Sequence, residues 1–172
     1  ASSFTLTGGS PSGGTYSGTG VSAGSFNPST AGVGSHTITY VYTDGNTCTD
    51  SASQTQVVNA LPTVTFGSLS DVCLNANPVT LSQGSPAGGT YSGTGVSGGT
   101  FNPASAGAGT YTLTYSYTDG NGCSDDATSS ITVDPQPTVT IGAISSLCEG
   151  ANSITLSSGS PSGGVYFGTG VS

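Results

Sequence analysis

The residues predict an all-β protein built as a series of small antiparallel β-sandwiches on one chain. Three observations point there. Apolar and polar side chains alternate over short runs, and no segment shows a helical period. Turn residues punctuate the chain about every 8 to 12 residues. The third is a repeat: Leu6, Leu81 and Leu156 stand 75 residues apart, and the segments around them align without a gap. Tyr16–Ser22 returns as Tyr91–Ser97 and as Tyr166–Ser172, with Phe167 in place of the serine. Ser10-Pro11 returns as Ser85-Pro86 and Ser160-Pro161, and Phe26-Asn27-Pro28 as Phe101-Asn102-Pro103. A long fixed period marks one folded unit strung in series. We expect an N-terminally incomplete unit over 1–60, a complete one over 61–135 and a C-terminally incomplete one over 136–172. On this reading the chain is a stretch of a longer array.

Within 61–135 the elements follow in order. Pro62–Phe66 alternates and reads as a first strand, and Asp71–Asn77 as a loop carrying Cys73. Val79–Ser82 is a second strand, and Gly84–Gly89, with Pro86 inside, a turn. Short strands follow at Thr90–Ser92 and Thr100–Phe101, the latter stopped by Asn102-Pro103. Thr110–Tyr117 alternates without a break and sends Tyr111, Leu113, Tyr115 and Tyr117 to one face. Asp119-Gly120-Asn121-Gly122 suits a hairpin, because these residues accept positive φ. The last strand runs from about Cys123 to Val133.

The core is read by analogy with immunoglobulin domains, where a tyrosine near the start of the sixth strand lies two residues before a core cysteine. Tyr111 resembles that tyrosine, and Leu113 stands where the cysteine would be. Leu81 would face Leu113 from the second strand, with Tyr91 in the place of the usual tryptophan. The expectation is an apolar pin, Leu81–Tyr91–Leu113, matched in the preceding unit by Leu6, Tyr16 and Ile38. The joins Val58–Pro62 and Val133–Pro137 are short and proline-stiffened, which predicts a linear rod. A last strand of about 11 residues at about 3.3 Å each sets the advance per unit near 35 Å.

Composition narrows the function. The chain has no lysine or arginine, eight acidic residues and one histidine, for a formal charge of −8. Nucleic acid is excluded as a partner, since its phosphates need cations, and an anionic membrane surface for the same reason. No run is long and apolar enough for membrane insertion as a helix. A chain without Lys or Arg also gives trypsin-like proteases nothing to cut, which suits an extracellular place. Only 5% of residues are charged, so this is not a charge-expanded disordered chain.

Cys48 and Cys123 correspond across the repeat, as do Cys73 and Cys148, with no CxxC spacing. Small repeated domains with paired cysteines usually belong to an oxidising compartment. An in-domain Cys73–Cys123 bond is favoured, which would stabilise by about 4 kcal/mol in the chain-entropy model. Cys48 and Cys148 would then pair with residues outside this stretch. The alternatives are bonds between neighbouring units, and buried free thiols.

No catalytic constellation is legible. His36 is the counterpart of Tyr111 and reads as a strand residue, with no serine and aspartate set to work with it. Asp119, Asn121 and Asp125, like Asp44, Asn46 and Asp50, form weak calcium candidates, but they lack the regular ligand ladder of a calcium loop, and the hairpin already explains them. Gly93-Thr94-Gly95 has neither the lysine nor the following helix of a phosphate loop. No cofactor is implied, and the expectation is a protein that is not an enzyme. Exposed tyrosines and glycine loops leave glycan binding open.

The strings Gly89–Ser97, Phe101–Pro103, Gly109–Tyr115 and Asp119–Asp125 together resemble the tandem immunoglobulin-like repeats of giant surface proteins from gliding and related Bacteroidota. They are most like the repeats of the large gliding-motility adhesin exported by the type IX secretion system. The resemblance covers the whole chain. It implies a cell-surface, extracellular location, filament-like reach and adhesion to surfaces or polysaccharide, and no catalytic residues. Asp50-Ser51-Ala52 also resembles an O-glycosylation signal of these bacteria, where the next period has Asp125-Asp126-Ala127. The function expected is a non-catalytic stalk. Two rivals are an accessory array tethering a secreted enzyme and a structural filament or surface-layer component.

Overall fold

The computed structural model describes residues 2–171. Its strands are β1 (Phe4–Thr5), β2 (Thr15–Ser17), β3 (Val21–Ser22), β4 (Ser25–Phe26), β5 (Gly34–Thr43) and β6 (Thr49–Val58), then β7 (Thr65–Phe66), β8 (Val72–Cys73), β9 (Val79–Thr80), β10 (Gly84–Ser85) and β11 (Thr90–Ser92). There follow β12 (Val96–Ser97), β13 (Thr100–Phe101), β14 (Gly109–Thr118), β15 (Ser124–Asp134), β16 (Thr140–Ile141) and β17 (Gly159–Ser160). Among the described residues the helices are two single turns, α1 (Pro28–Ala31) and α2 (Pro103–Ala106). The chain is all-β.

It divides into two compact units, residues 1–65, 84–90 and 115–127, and residues 66–83, 91–114 and 128–172. These bounds differ from the breaks at 60 and 135 read from the sequence, because β14 and β15 each contribute residues to both.

In the first unit β2, β5 and β6 form one sheet and β1, β4 and β3 another. The β5–β6 hairpin is in register from Gly34–Val58 to Thr43–Thr49. Phe26, fully buried, and Ile38 carry the interior, and the Phe4 ring lies 5.6 Å from that of Phe26. Tyr40 fixes a loop: its hydroxyl donates to the Pro11 carbonyl at 2.6 Å and accepts the Gly14 N–H at 2.7 Å. Tyr115 acts in the same way on Pro86 and Gly89, with the Gly89 N–H at 2.7 Å. Its ring leaves no room for a side chain at position 84, where a Cβ would stand 2.6 Å from Cδ2.

In the second unit Leu81, Phe101, Leu113, Ile131 and Val133 form one buried cluster. The alternation of β14 explains its share: odd-numbered side chains from Tyr111 to Tyr117 point inward and Leu113 is fully buried. Phe66, Leu69, Val72 and Tyr91 pack around the cluster. Sheet β12-β13-β9 supplies Phe101, and sheet β11-β14-β15-β8 supplies Leu113, Ile131 and Val133.

Several elements differ from the sequence reading: the first strand is confined to Thr65–Phe66, Gly84–Ser85 in the expected turn is strand β10, and Val96–Ser97 forms strand β12. Asp71–Asn77 is not only loop: β8 inside it pairs in parallel with β15, Val72 opposite Val133. The residues after Phe101 make a helical turn. Asn102, in extended conformation, accepts the N–H groups of Ala104 and Ser105 through its side chain, and Pro103 occupies a first-turn position. The peptide bonds Ser10–Pro11, Ser85–Pro86 and Ser160–Pro161 are cis.

Candidate functional site

The hairpin between β14 and β15 holds the strongest polar cluster. Asp119 Oδ1 accepts the N–H groups of Asn121 and Cys123, both at 2.9 Å, and the Asn121 side-chain amide reaches Oδ2 at 3.4 Å. The Cys123 N–H leads the effects that hold the Asp119 carboxyl below its ordinary value; desolvation opposes it, and the Asn121 N–H and side-chain amide and the Gly122 N–H add smaller lowering contributions. Asp44 builds the same turn with Asn46 and Cys48, at 2.8 Å each. The carboxylates are thus already occupied as turn acceptors. Asp125 lies half-buried in β15, and among the described residues no three His, Cys, Asp or Glu side chains converge as a metal cage.

The thiols correct one expectation. Cys73 sits beside Asp134 at the end of β15, whereas Cys123 directly precedes Ser124 at its start. Eleven residues of strand at about 3.3 Å each span about 35 Å. A disulfide needs Cα atoms within about 7 Å. Cys73 and Cys123 therefore do not bond in-domain, and both are free. Cys48 and Cys148 are free and exposed.

The residues expected to form the core occupy it unevenly. Leu81 and Leu113 lie in the buried cluster, and Tyr91 packs at its rim with its ring 5.3 Å from Phe66, edge on. Tyr111 donates its hydroxyl to the Ala106 carbonyl at 2.6 Å. His36 does the same work one period earlier: Nε2 stands 2.8 Å from the Gly32 carbonyl, which can only accept, so Nε2 carries the proton. Phe101, Ile131 and Val133 were not singled out from the sequence. Their signal was there, in the apolar residue before Asn102-Pro103 and in the alternation at the end of the last strand.

Shallow grooves mark the surface of the described residues, three of them of similar size. One, of about 370 Å³, lies in the first unit against Leu6, Tyr16, Ile38 and Tyr40. Two in the second unit, of about 320 and 380 Å³, lie against Ile141 and Tyr166 and against Val96 and Asn102. None of these is lined by a carboxylate, an imidazole or a thiol; their polar side chains are hydroxyls and amides. No family model matches the chain, and no curated protein matches it.

Proposed function

We propose that the chain is part of a non-catalytic stalk of immunoglobulin-like β-sandwiches on a bacterial cell surface, giving reach and attachment to a surface or polysaccharide. In this reading it serves an adhesin of the gliding-motility type exported by type IX secretion. One observation carries the proposal: residues 75 positions apart do the same structural work. Phe26 and Phe101 are both fully buried, Asn27 and Asn102 both cap a helical turn, and Tyr40 and Tyr115 both tie a proline carbonyl to a glycine N–H. A chain that repeats the same capped turn, loop tie and buried phenylalanine at a fixed period is suited to spacing and to many weak contacts at once. The absence of cations in the sequence favours glycan or an inert surface over a phosphate polymer.

The test is deletion of whole 75-residue periods in the native host, with export verified. Attachment or gliding is expected to fall with repeat number. Undiminished attachment after deletion would refute the stalk. Small-angle scattering on tandem copies should give a maximum dimension growing by about 35 Å per copy.

A further inference from the structure

The groove beside β12 and β13 is built wholly inside the period 61–135. Pro78, Val96, Ser97, Thr100, Asn102 and Ser105 line about 380 Å³. Gly98 and Gly99, both at positive φ, turn the chain so that Ser97 stands directly opposite Thr100. Phe101 fills the interior, so alternation turns the Thr100 hydroxyl outward beside that of Ser97. Asn102 is held by its own cap. Its Oδ1 accepts the N–H groups of Ala104 at 3.0 Å and Ser105 at 3.3 Å, which fixes the amide. Both Nδ2 hydrogens are left over, and among the described residues neither they nor the Ser97, Thr100 and Ser105 hydroxyls meet a protein partner.

The first unit repeats the set. Ser22, Ser25, Asn27 and Thr30 stand one period before Ser97, Thr100, Asn102 and Ser105, and Asn27 Oδ1 accepts from Ser29 and Thr30 in the same way. Each of the four positions keeps its hydroxyl or its amide, whereas the exposed neighbour Ala104 has Ser29 as its counterpart. The cap explains the asparagine; nothing in the fold requires the three hydroxyls. Nor do the chain ends leave these groups open. The first unit is followed by a whole period, and there Ser22, Asn27 and Thr30 are exposed.

We propose that this groove is a subsite for one uncharged sugar residue of a polysaccharide, present once in each period. A sugar ring carries hydroxyls that both donate and accept, set around C–H faces. The three serine and threonine hydroxyls supply both roles, the Asn102 amide supplies two donors of fixed direction, and the Pro78 ring gives a C–H face something to lie on. No charged side chain lines the groove, and its first-unit counterparts are uncharged too, so a sulfate, phosphate or carboxylate finds no cation there. Pro78 has Ser3 as its counterpart, so the first-unit subsite loses apolar surface and is the weaker of the two. A single shallow site binds weakly, and repetition along the chain is what makes it an attachment. This inference deepens the attachment reading and rests on it in taking polysaccharide as the surface met.

NMR titration of the 172-residue chain with glucose, galactose, mannose, xylose and N-acetylglucosamine, and with glucuronate for comparison, tests it. At millimolar concentration at least one neutral sugar should shift the amide resonances of Ser97, Thr100, Asn102 and Ser105, and those of Ser22, Ser25, Asn27 and Thr30 to a smaller degree. Glucuronate should bind no tighter than glucose. Asn102→Asp keeps a capping oxygen but replaces the two donors with a carboxylate. It should leave the melting midpoint nearly unchanged and weaken binding at the second-unit subsite by about tenfold, with the first-unit subsite of the same molecule as the control. Ser97→Ala with Ser105→Ala should weaken binding there to a similar degree without adding charge, and this pair decides the matter if Asn102→Asp proves unfolded. Silence from all the neutral sugars, shifts confined to residues outside the two grooves, tighter binding of glucuronate, or undiminished binding by a folded variant would each overturn the subsite. The stalk reading fails by a different result, undiminished attachment of cells after whole periods are deleted, so the two are judged separately.

Discussion

Leu113→Ala removes the centre of the second unit's core. Leu113 is fully buried, among Leu81, Phe101, Ile131 and Val133. The hole would be hard to close. On one side lies the backbone of Gly93, where even a Cβ would stand 2.8 Å from Leu113 Cδ2, and at Gly93 φ is +136°, a conformation that costs other residues strain. Lost transfer energy and an uncollapsed cavity together place the cost at about 3–5 kcal/mol, the upper part of the range for buried leucine truncations. That is a large share of a small domain's stability, about 5–15 kcal/mol, and shifts the melting midpoint by roughly 15–25 °C. Urea unfolding followed by circular dichroism gives the magnitude, and amide exchange in β14 and β15 gives the location. Val33→Ala, at a position 69% exposed, is the control and should change stability by no more than about 0.5 kcal/mol. A loss below about 1 kcal/mol for Leu113→Ala, with an unchanged denaturant slope, would refute the reasoning that this side chain organises the core.

Tyr115→Phe keeps the ring over Gly84 but strands the Gly89 N–H and the Pro86 carbonyl, so unfolding should become easier by about 1–3 kcal/mol. Asp119 has a folded-state pKa below its ordinary 3.8. Its stabilising contribution is therefore present above the unfolded value and is lost as pH falls through the lower, folded one. Asp119→Asn should flatten that acidic limb of the stability–pH curve, and an unchanged limb argues against the turn as its source. Peptide mapping under non-reducing conditions should find no Cys73–Cys123 linkage within a chain, and thiol labelling of the native protein should modify Cys48, Cys73 and Cys148.

Local chemistry made several elements legible. The alternation from Tyr111 to Tyr117 placed β14 and its buried face, because a strand's side chains alternate whatever it pairs with. Asp119-Gly120-Asn121-Gly122 placed the hairpin, because its hydrogen bonds close within five residues. Leu81 and Leu113 were legible as core because large aliphatic side chains at repeated positions have few other uses. The helical turn at Pro103 was missed although its signal is local: Asn before Pro is a capped start, read only as a strand stop.

The chain by itself determined the alternation, the turns, the absence of positive charge and the 75-residue correspondence, all properties of neighbours in sequence or of identical strings. Tertiary structure decided the rest. β8 is two residues long and has no pattern of its own; it becomes a strand only because Asp134 and Val133 offer it an edge some sixty residues away in sequence. That same pairing sets Cys73 at the far end of β15 from Cys123 and so decided against their bond. A parallel ladder is a long-range contact that no run of adjacent residues encodes.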